Sequence, residues 1–438
     1  MAALHMHCGR IANRIDNRLT SQRVLIVAGR GTLSQRAYSV GCGQRKLVQC
    51  PSNGGCKIRP HPLDWHEPRQ RNEEATMTVP VLRLKGTPRE IGRQHGEQVP
   101  NLIKDNLRFY MNLWQHMGGV SREKILTDVE AFVSFIEQLD PDLIEEMSGV
   151  AEGAGLEFRE IAALNARTEL TFSCLPNTLK ESTAGGCTSF GLLPEATQNG
   201  HVIIGQNWDW RTEARDTCVI LQIEQSDKPN IVMHAEAGTI GHRGINSVGM
   251  GVCINYIRSE ADDFRPGVPF LIKLRGILNS SRMSLALKML MTYVGPNSMN
   301  MVIGHQGGEV IDVENLPNDL LFVYPQNGIL THANHFESPM LPVRDTGKGT
   351  LADTIFRSRR LRRLLEARRG TLNVETIRES LCDHFSYPDS ICRHPDEACA
   401  TIDQWQTLAS IILDLTEMTL RYTEGPACTG PYHVARLP

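Results

Sequence analysis

The residue with the clearest chemical potential is Cys187, which follows two glycines in Ala184-Gly185-Gly186-Cys187. A thiol can attack the carbonyl of the residue before it, and Gly186 has no Cβ to obstruct that approach. An N-to-S acyl shift followed by hydrolysis would cut the chain after Gly186 and leave Cys187 with a free α-amine. That amine, with an ordinary pKa of about 7.7–8.0, can take a proton from a thiol with a pKa of about 8.5. Gly186 and Cys187 therefore form a candidate autocleavage site with Cys187 as nucleophile.

A Gly-Cys step indicates little by itself, because most such steps are a turn beside a buried cysteine. Its surroundings are more informative. Eight separated strings occur along the chain: 86–97 (GTPREIGRQHGE), 164–169 (LNARTE), 186–189 (GCTS), 205–209 (GQNWD), 236–241 (EAGTIG), 244–247 (GINS), 334–336 (NHF) and 390–395 (SICRHP). In this order they resemble the acyl-coenzyme A:6-aminopenicillanate (isopenicillin N) acyltransferase family, the peptidase C45 group of N-terminal-nucleophile (Ntn) hydrolases. The resemblance covers most of the chain from Met77 onward.

The resemblance implies an α+β fold, a four-layer αββα sandwich of two stacked, mainly antiparallel sheets, with Cys187 at the start of a central strand. It also implies that Cys187 acts in both self-cleavage and turnover. Asp209 matches the acid that orients the new α-amine, and Asn334 matches the amide donor of an oxyanion hole. Asn255, in the run Val-Cys-Ile-Asn, lies where a second strand could bring another donor to the same oxygen.

Two of these residues also have a purely structural interpretation. Asp209 lies between Trp208 and Trp210 and could cap a turn. Asn334 precedes His335 and could be a turn residue between a strand and a loop. His95 and His335 belong to the shared strings, but a lone histidine is more often structural than catalytic.

A group of residues near the carboxyl terminus could be taken for metal ligands: Cys382, His384, Cys392, His394 and Cys399. Structural zinc sites favour pairs with two to four residues between them, whereas these pairs have one. We therefore expect no metal and no bound cofactor, although a coenzyme A thioester could be the acyl donor. The sequence contains no Walker loop, no Gly-x-Gly-x-x-Gly turn and no His-Glu-x-x-His motif.

The basic run 357–369 contains seven arginines with apolar residues between them at helical spacing. This pattern is typical of an amphipathic helix with a solvated arginine face. Contact with the phosphates of a coenzyme A thioester is the alternative. The formal net charge of −3 offers no electrostatic case for nucleic acid.

The pattern of elements predicts one domain over 77–438. An alternating strand and then helices extend to Leu170, and Thr87-Pro88-Arg89-Glu90 predicts a capping box at the first helix. After Cys187, short β-rich runs joined by turns predict antiparallel sheets. Helices are expected over 268–293, 351–369 and 374–384, with a closing hairpin over 407–423. Self-cleavage would give a helical α-segment, 77–186, and a β-segment, 187–438, held together as an α/β heterodimer.

Residues 1–76 are excluded from the predicted fold. Positions 1–63 carry ten basic residues and one acidic residue, the composition of a mitochondrial transit peptide. A wrongly assigned start, with Met77 as the true one, accounts for the segment equally well. Scattered cysteines in apolar runs favour reduced thiols in an intracellular protein, mitochondrial if the leader is real and otherwise cytoplasmic. No apolar run approaches the roughly 20 residues of a membrane-spanning helix, so no membrane partner is expected.

These features predict an autoprocessing cysteine amidohydrolase or acyltransferase. It would pass the acyl group of a small amide through a thioester on Cys187 to water or to an amine. One alternative is a cysteine hydrolase that never cuts itself and uses His332 or His335 as base. The other is a catalytically inactive protein that keeps the fold and binds a small molecule.

Overall fold

A helical layer preceded by one strand forms the amino-terminal part of the protein. The computed structural model describes residues 79–173, 186–263, 265–293, 295, 297–349 and 351–438, and the predicted leader 1–76 lies outside them. The elements of this part are β1 (Val81–Lys85), α1 (Pro88–Gln98), α2 (Pro100–Gly118), α3 (Arg122–Asp128), α4 (Glu130–Leu139), α5 (Pro141–Ala154), α6 (Phe158–Asn165) and α7 (Arg167–Ser173).

The helices α1 and α5 cross so closely that glycine is required on both sides. A Cβ at Gly92 would lie 1.9 Å from the Glu146 carbonyl oxygen, and one at Gly149 would lie 2.2 Å from the Arg89 carbonyl oxygen. The predicted capping box begins α1: the Thr87 side chain accepts from the Glu90 amide, and the Glu90 carboxylate accepts from the Thr87 amide at 2.8 Å. Gly92 of the 86–97 string therefore serves helix packing rather than chemistry.

Strands dominate the chain after Cys187. They are β2 (Thr188–Leu192), β3 (Ile203–Arg211), β4 (Cys218–Glu224), β5 (Ile231–Glu236), β6 (Arg243–Asn246), β7 (Met250–Tyr256), β8 (Met299–His305), β9 (Glu309–Leu316), β10 (Asp319–Val323), β11 (Ile329–His332), β12 (Trp405–Asp414), β13 (Thr419–Tyr422) and β14 (His433–Arg436). The helices among them are α8 (Phe270–Asn279), α9 (Met283–Thr292), α10 (Thr354–Glu366) and α11 (Val374–Leu381).

The strands form two sheets. One has eight strands in the order β1-β4-β5-β6-β7-β8-β9-β10, and the other has six in the order β11-β2-β3-β12-β13-β14. The β1–β4 pair is parallel, and the remaining described pairs are antiparallel. Short turns between consecutive strands account for this, because parallel strands need a longer crossover.

The two sheets pack face to face with helices on their outer sides. A Cβ at Gly191 in β2 would lie 2.5 Å from Val310 Cγ1 in β9, so the inner faces touch closely. Helix α8 contacts β6 and β7 of the larger sheet, and α10 contacts β11 and β2 of the smaller one. A second apolar cluster, including Phe190, Leu361 and Ile377, lies between the smaller sheet and its helices. The predicted α+β sandwich with two mainly antiparallel sheets is confirmed.

Several element boundaries and one chemical expectation differ from those predicted. The helix expected to bend at Pro100 is two helices, because α1 ends at Gln98 and Pro100 begins α2. Strand β6 was not predicted, since its Arg and Asn residues hide the apolar alternation.

The expectation of reduced thiols is wrong at Cys399, which is disulfide-bonded. Among the described residues, no helix has the length and apolar character needed to cross a bilayer.

Candidate active site

Cys187 lies one residue before β2, at the entrance to the six-stranded sheet. Its side chain is 6% exposed, and Sγ donates a hydrogen bond to the main-chain oxygen of Asp209 at 3.6 Å. Burial, together with the Asp209 carboxylate, raises the pKa of the thiol to about 11, because both disfavour a thiolate. The thiol is therefore protonated near neutral pH unless a base comes within reach.

The Gly186 carbonyl, which the thiol would attack in self-cleavage, is held by the buried guanidinium of Arg357. Nη1 of Arg357 donates to the carbonyl oxygens of both Gly186 and Cys187 at 2.7 Å. Nε of the same group donates to Asp353 Oδ2 at 2.7 Å, which fixes the guanidinium from its other side. A fixed cation at this oxygen can stabilise negative charge that develops on it.

Gly186 also lies against a second buried arginine, Arg393. A Cβ at Gly186 would lie 2.6 Å from Arg393 Nε, so a larger residue would require that side chain to move. Arg393 pairs with Asp209 through Nε at 3.4 Å and also forms ion pairs with Asp353 and Asp389. Two arginines thus enclose the Gly186–Cys187 peptide bond.

Asp209 is inside β3, where it faces Thr407 of β12. Its carboxylate is fully buried and accepts a hydrogen bond from Thr407 Oγ1 at 2.6 Å. Burial raises the pKa of Asp209 to about 7, against the lowering effect of Arg393 and Arg357. The interpretation of Asp209 as a turn cap is wrong, because the residue lies within a paired strand. Its role toward the α-amine of Cys187 stays a prediction.

Asn334 follows β11 and is joined to the cleavage site through Arg357. Its Oδ1 accepts from Arg357 Nη2 at 2.8 Å, and its Nδ2 donates to the Tyr256 carbonyl at 2.8 Å. An amide group has two hydrogens, so the bond to Tyr256 uses one of them. The predicted role of Asn334 in an oxyanion hole stays a prediction.

Asn255, on β7 of the other sheet, faces the same region. It is 1% exposed, and its Nδ2 donates to Ser189 Oγ at 2.7 Å. Its Oδ1 has no hydrogen-bond partner among the described residues. An unpaired buried amide oxygen is costly in a folded protein unless a ligand or water supplies a donor. Asn255 thus offers an acceptor, whereas the prediction required a donor, and its role stays a prediction.

A small pocket of about 50 Å³ adjoins Cys187. Cys187, Asp209, Asn255 and Arg167 contribute polar groups to its wall. The rest of the lining is mostly apolar and includes Trp208, Trp210, Ile254, Phe270, Leu271 and Met299. An apolar cavity with a few converging polar groups is the usual form of a small-molecule site.

The two histidines considered as bases are engaged elsewhere. His332 bonds Glu314 Oε1 and the Ala333 carbonyl, both at 2.8 Å. Although burial opposes it, the neighbouring carboxylates raise the pKa of His332 to about 9. His335 Nδ1 lies 2.9 Å from Thr354 Oγ1. Within the described parts of the chain, neither histidine is hydrogen-bonded to Cys187.

Sequence reasoning missed the two arginines. Arg357 was assigned to a solvated arginine face, and that is wrong for this residue, which is completely buried. The sequence did carry a sign of its burial. Arg357 lies among Ile355, Phe356 and Leu361, so one arginine of the run shares the apolar side of the helix. Arg393 stands inside the 390–395 string, where its Cys and His neighbours are the more obvious candidates for chemistry.

Comparison with known proteins identifies a family and a curated relative. Residues 196–427 match the family model described as acyl-coenzyme A:6-aminopenicillanic acid acyl-transferase. This range includes Asp209, Asn255 and Asn334 and begins after Cys187. A curated relative from Emericella nidulans, the acyl-coenzyme A:6-aminopenicillanic-acid-acyltransferase 40 kDa form, is 30% identical over 332 residues, which are 75% of this chain and 88% of the relative.

Solved structures with some similarity have much lower sequence identity. Penicillin V acylase from Agrobacterium tumefaciens is 14% identical with a TM-score of 0.38, over 57% of this chain and 84% of that one. An N-acylethanolamine-hydrolyzing acid amidase ortholog from Caenorhabditis elegans is 12% identical with a TM-score of 0.39, over 52% and 93%. From the family match and the curated relative, the chain belongs to the acyl-coenzyme A:6-aminopenicillanic acid acyl-transferase family and is an enzyme of acyl transfer or amide hydrolysis.

Proposed function

We propose that this chain is a self-processing cysteine enzyme that carries the acyl group of a small amide as a thioester on Cys187. The observation that supports this most strongly is the contact of 2.7 Å between Arg357 Nη1 and the Gly186 carbonyl oxygen. The carbonyl that would be attacked is thereby polarised in the residue just before the nucleophile. An ordinary turn beside a buried cysteine has no need of a buried guanidinium at this oxygen.

In the cleavage step, Cys187 Sγ loses its proton and bonds to the Gly186 carbonyl carbon. The oxygen gains negative charge, which the Arg357 guanidinium stabilises. The bond from Gly186 to the Cys187 nitrogen then breaks, and that nitrogen takes up the proton lost by Sγ and becomes an amine. Water splits the resulting thioester, which yields a Gly186 carboxylate and restores the thiol.

In turnover, the new α-amine of Cys187, which becomes free only on cleavage, acts as the base. A thiol with a pKa of about 11 is a poor nucleophile at neutral pH without such a base. The buried Asp209 carboxylate, adjacent to Cys187 through the β2–β3 pairing, would hold the amine in its charged form after proton transfer. Asn334 would bind the oxygen of the substrate carbonyl, and the unpaired Oδ1 of Asn255 would accept a hydrogen bond from an N–H or O–H group of the substrate.

The pocket beside Cys187 suits an apolar acyl group. Trp208, Phe270 and Met299 offer large apolar surfaces, and each buried methylene of a ligand contributes about 0.8 kcal/mol. The curated relative is named for acyl-coenzyme A and 6-aminopenicillanic acid. For this chain we propose a small amide as substrate, with a coenzyme A thioester as a second acyl donor and either water or an amine as acceptor.

The two products of cleavage would stay together as a heterodimer, since the α-segment is tied to the β-segment by buried bonds. Tyr110 OH donates to Glu236 Oε1 at 2.6 Å, and Asn106 Nδ2 donates to the Ala237 carbonyl at 2.8 Å. Arg275 bonds Glu146 through both terminal nitrogens at 2.8–2.9 Å. These contacts do not depend on the Gly186–Cys187 bond.

The non-cleaving Cys–His hydrolase is the second candidate, and the separate bonding of His332 and His335 disfavours it. A denaturing gel with amino-terminal sequencing distinguishes the two. We expect wild type to give two fragments, one beginning at Cys187, and Cys187→Ala to remain one chain. Cys218→Ala, which removes another buried thiol, is the control and should be cut normally. An uncut wild-type chain that still turns over an amide would overturn the proposal.

The inactive binding protein makes a different prediction. A thiol-reactive acyl probe should label the fragment that begins at Cys187 if this residue is a nucleophile. Peptide mass spectrometry would locate the label. Cut protein without any labelling at Cys187 would favour the binding protein.

A further inference from the structure

We propose that His384, Cys392, His394 and Cys428 bind a structural zinc ion. Their ligand atoms, two imidazole nitrogens and two sulfurs, all lie within 4.8 Å of one another. We call this set the Cys-His cluster. Spacing along the chain disfavoured zinc because only one residue separates each nearby pair, but Cys428 is distant in the sequence and supplies a further ligand.

The separations within the Cys-His cluster fit a tetrahedral zinc ion. With Zn–S of about 2.3 Å and Zn–N of about 2.0–2.1 Å, a tetrahedron places S and S about 3.8 Å, S and N about 3.6 Å, and N and N about 3.3 Å apart. The two sulfurs are 3.7 Å apart. His394 Nε2 lies 3.7 Å from Cys392 Sγ and 3.4 Å from Cys428 Sγ. His384 Nε2 lies 3.1 Å from His394 Nε2.

The same distances fit neither a disulfide nor simple core packing. A disulfide needs about 2.05 Å between the sulfurs, and both cysteines are free. Two imidazole nitrogens that face each other at hydrogen-bond distance, beside two thiols, form a poor apolar core but a complete ligand set. Two thiolates and a Zn²⁺ ion give a neutral site, so its partial burial costs little.

The loops that carry the ligands are held by bonds of their own. The Cys392 amide donates to the Asp383 carbonyl at 3.0 Å, and the Asp383 carboxylate accepts two bonds of 2.6 Å from Arg360. The turn that contains Cys428 is closed by a hydrogen bond of 3.0 Å from the Thr429 amide to the Pro426 carbonyl. Four protein ligands with no open position are typical of structural rather than catalytic zinc.

The position of the Cys-His cluster links it to the candidate active site. Cys392 and His394 flank Arg393 along the chain. The Arg393 side chain pairs with Asp209 and lies against Gly186. Zinc would therefore fix the segment that positions Arg393 against the cleavage site.

Metal content of the full-length protein tests the proposal. After dialysis of reduced protein against metal-free buffer, plasma mass spectrometry should find about one zinc ion per chain. Cys428→Ser and His394→Gln should lower that content roughly tenfold or more. Cys382→Ser is the matched control, because Cys382 is a free thiol in the same segment but outside the Cys-His cluster, and it should keep its zinc.

A spectroscopic measurement makes the test independent of how the variants fold. Wild-type protein loaded with Co²⁺ in place of zinc should show a thiolate-to-cobalt charge-transfer band that Zn²⁺ abolishes. Three results would overturn the proposal. They are wild-type protein with no zinc and no such band, a Cys392–Cys428 disulfide in place of metal, and iron as the only bound metal. None of these readouts depends on self-cleavage or turnover.

Discussion

Two regions of this protein contain cysteines whose surroundings give them different chemistry. Cys187 stands alone beside a glycine, bonds a main-chain carbonyl and faces an apolar pocket. Cys392 and Cys428 lie together with two imidazoles in the Cys-His cluster. A single thiol with a polarised carbonyl beside it suits nucleophilic attack, whereas converging soft ligands suit a metal. The neighbours decide the role of the residue.

Arg393 joins the two regions. It lies between two ligands of the Cys-His cluster and pairs with Asp209, whose main-chain oxygen accepts the hydrogen bond from Cys187 Sγ. A change in one region should therefore reach the other through this side chain. Substitutions in each region can measure how far their cysteines differ in reactivity and how strongly a change in one region affects the other.

The largest effect is expected from Arg357→Met, which removes the cation from the Gly186 carbonyl. Loss of one oxyanion donor typically costs about 10²–10³ in rate, and we expect self-cleavage to slow by that factor. The rate of self-cleavage is measured by densitometry of the fragments on denaturing gels at intervals after a short pulse of protein synthesis. Arg359→Met, on an exposed position of the same helix, is the control and should be cut normally. Equal rates for both variants would contradict the role given to Arg357.

A smaller effect on the same step is expected from Gly186→Ala. The new Cβ would lie 2.6 Å from Arg393 Nε, and such overpacking costs about 1–3 kcal/mol. If this cost adds to the activation free energy of cleavage, the cleavage rate falls by about 10–100-fold. Gly430→Ala, near Cys428, is the control, because no atom of the described chain lies within 4 Å of its added Cβ. Normal cleavage of Gly186→Ala would show that Arg393 does not constrain the bond.

The two kinds of thiol should also differ in reactivity. In the fraction of the Gly186→Ala chain that is still uncut, once freed of metal, iodoacetamide should alkylate the exposed Cys428 more than about tenfold faster than Cys187, because alkylation requires thiolate. Cys187 is 6% exposed with a pKa of about 11. Peptide mass spectrometry over time gives both rates, and added zinc should protect Cys428. Rapid labelling of Cys187 before cleavage would mean that a base already activates it.

The smallest expected effect concerns the pH dependence of stability. The pKa of Asp209 is raised to about 7 in the folded chain, so between about pH 4 and 7 the folded state holds a proton that the unfolded state releases. This contribution is therefore present at low pH and is lost as pH rises through about 7, with a slope of up to about 1.4 kcal/mol per pH unit.

The comparison of Cys187→Ala with Cys187→Ala/Asp209→Asn isolates this contribution, since both chains stay uncut. Thermal melting from pH 4 to 8 should give a flatter profile for the double variant. An identical slope in the two would show that Asp209 is ionised throughout. Asp209→Asn alone should also lose self-cleavage or turnover, which a purely structural role would not predict.

The fold was predictable from local patterns, and the site only in part. Alternation in β1 and the capping box of α1 appear in neighbouring residues, which is why both were confirmed. Thr407 and Asp209 are in contact because β12 pairs with β3, and no local pattern records that register. Arg357 looked like one of several surface arginines, since its partner carbonyl at Gly186 lies 171 residues away.

The amino-acid sequence by itself determined the helical first segment, the change to strands at Cys187, and the family to which the chain belongs. These follow from spacing, turn residues and ordered strings, which are properties of adjacent residues. Only the tertiary structure decided that two buried arginines enclose the Gly186–Cys187 bond and that Cys428 joins the two histidines and Cys392. Buried ion pairs and ligand sets form between residues that are distant along the chain. They become visible only when the sheets bring those residues together.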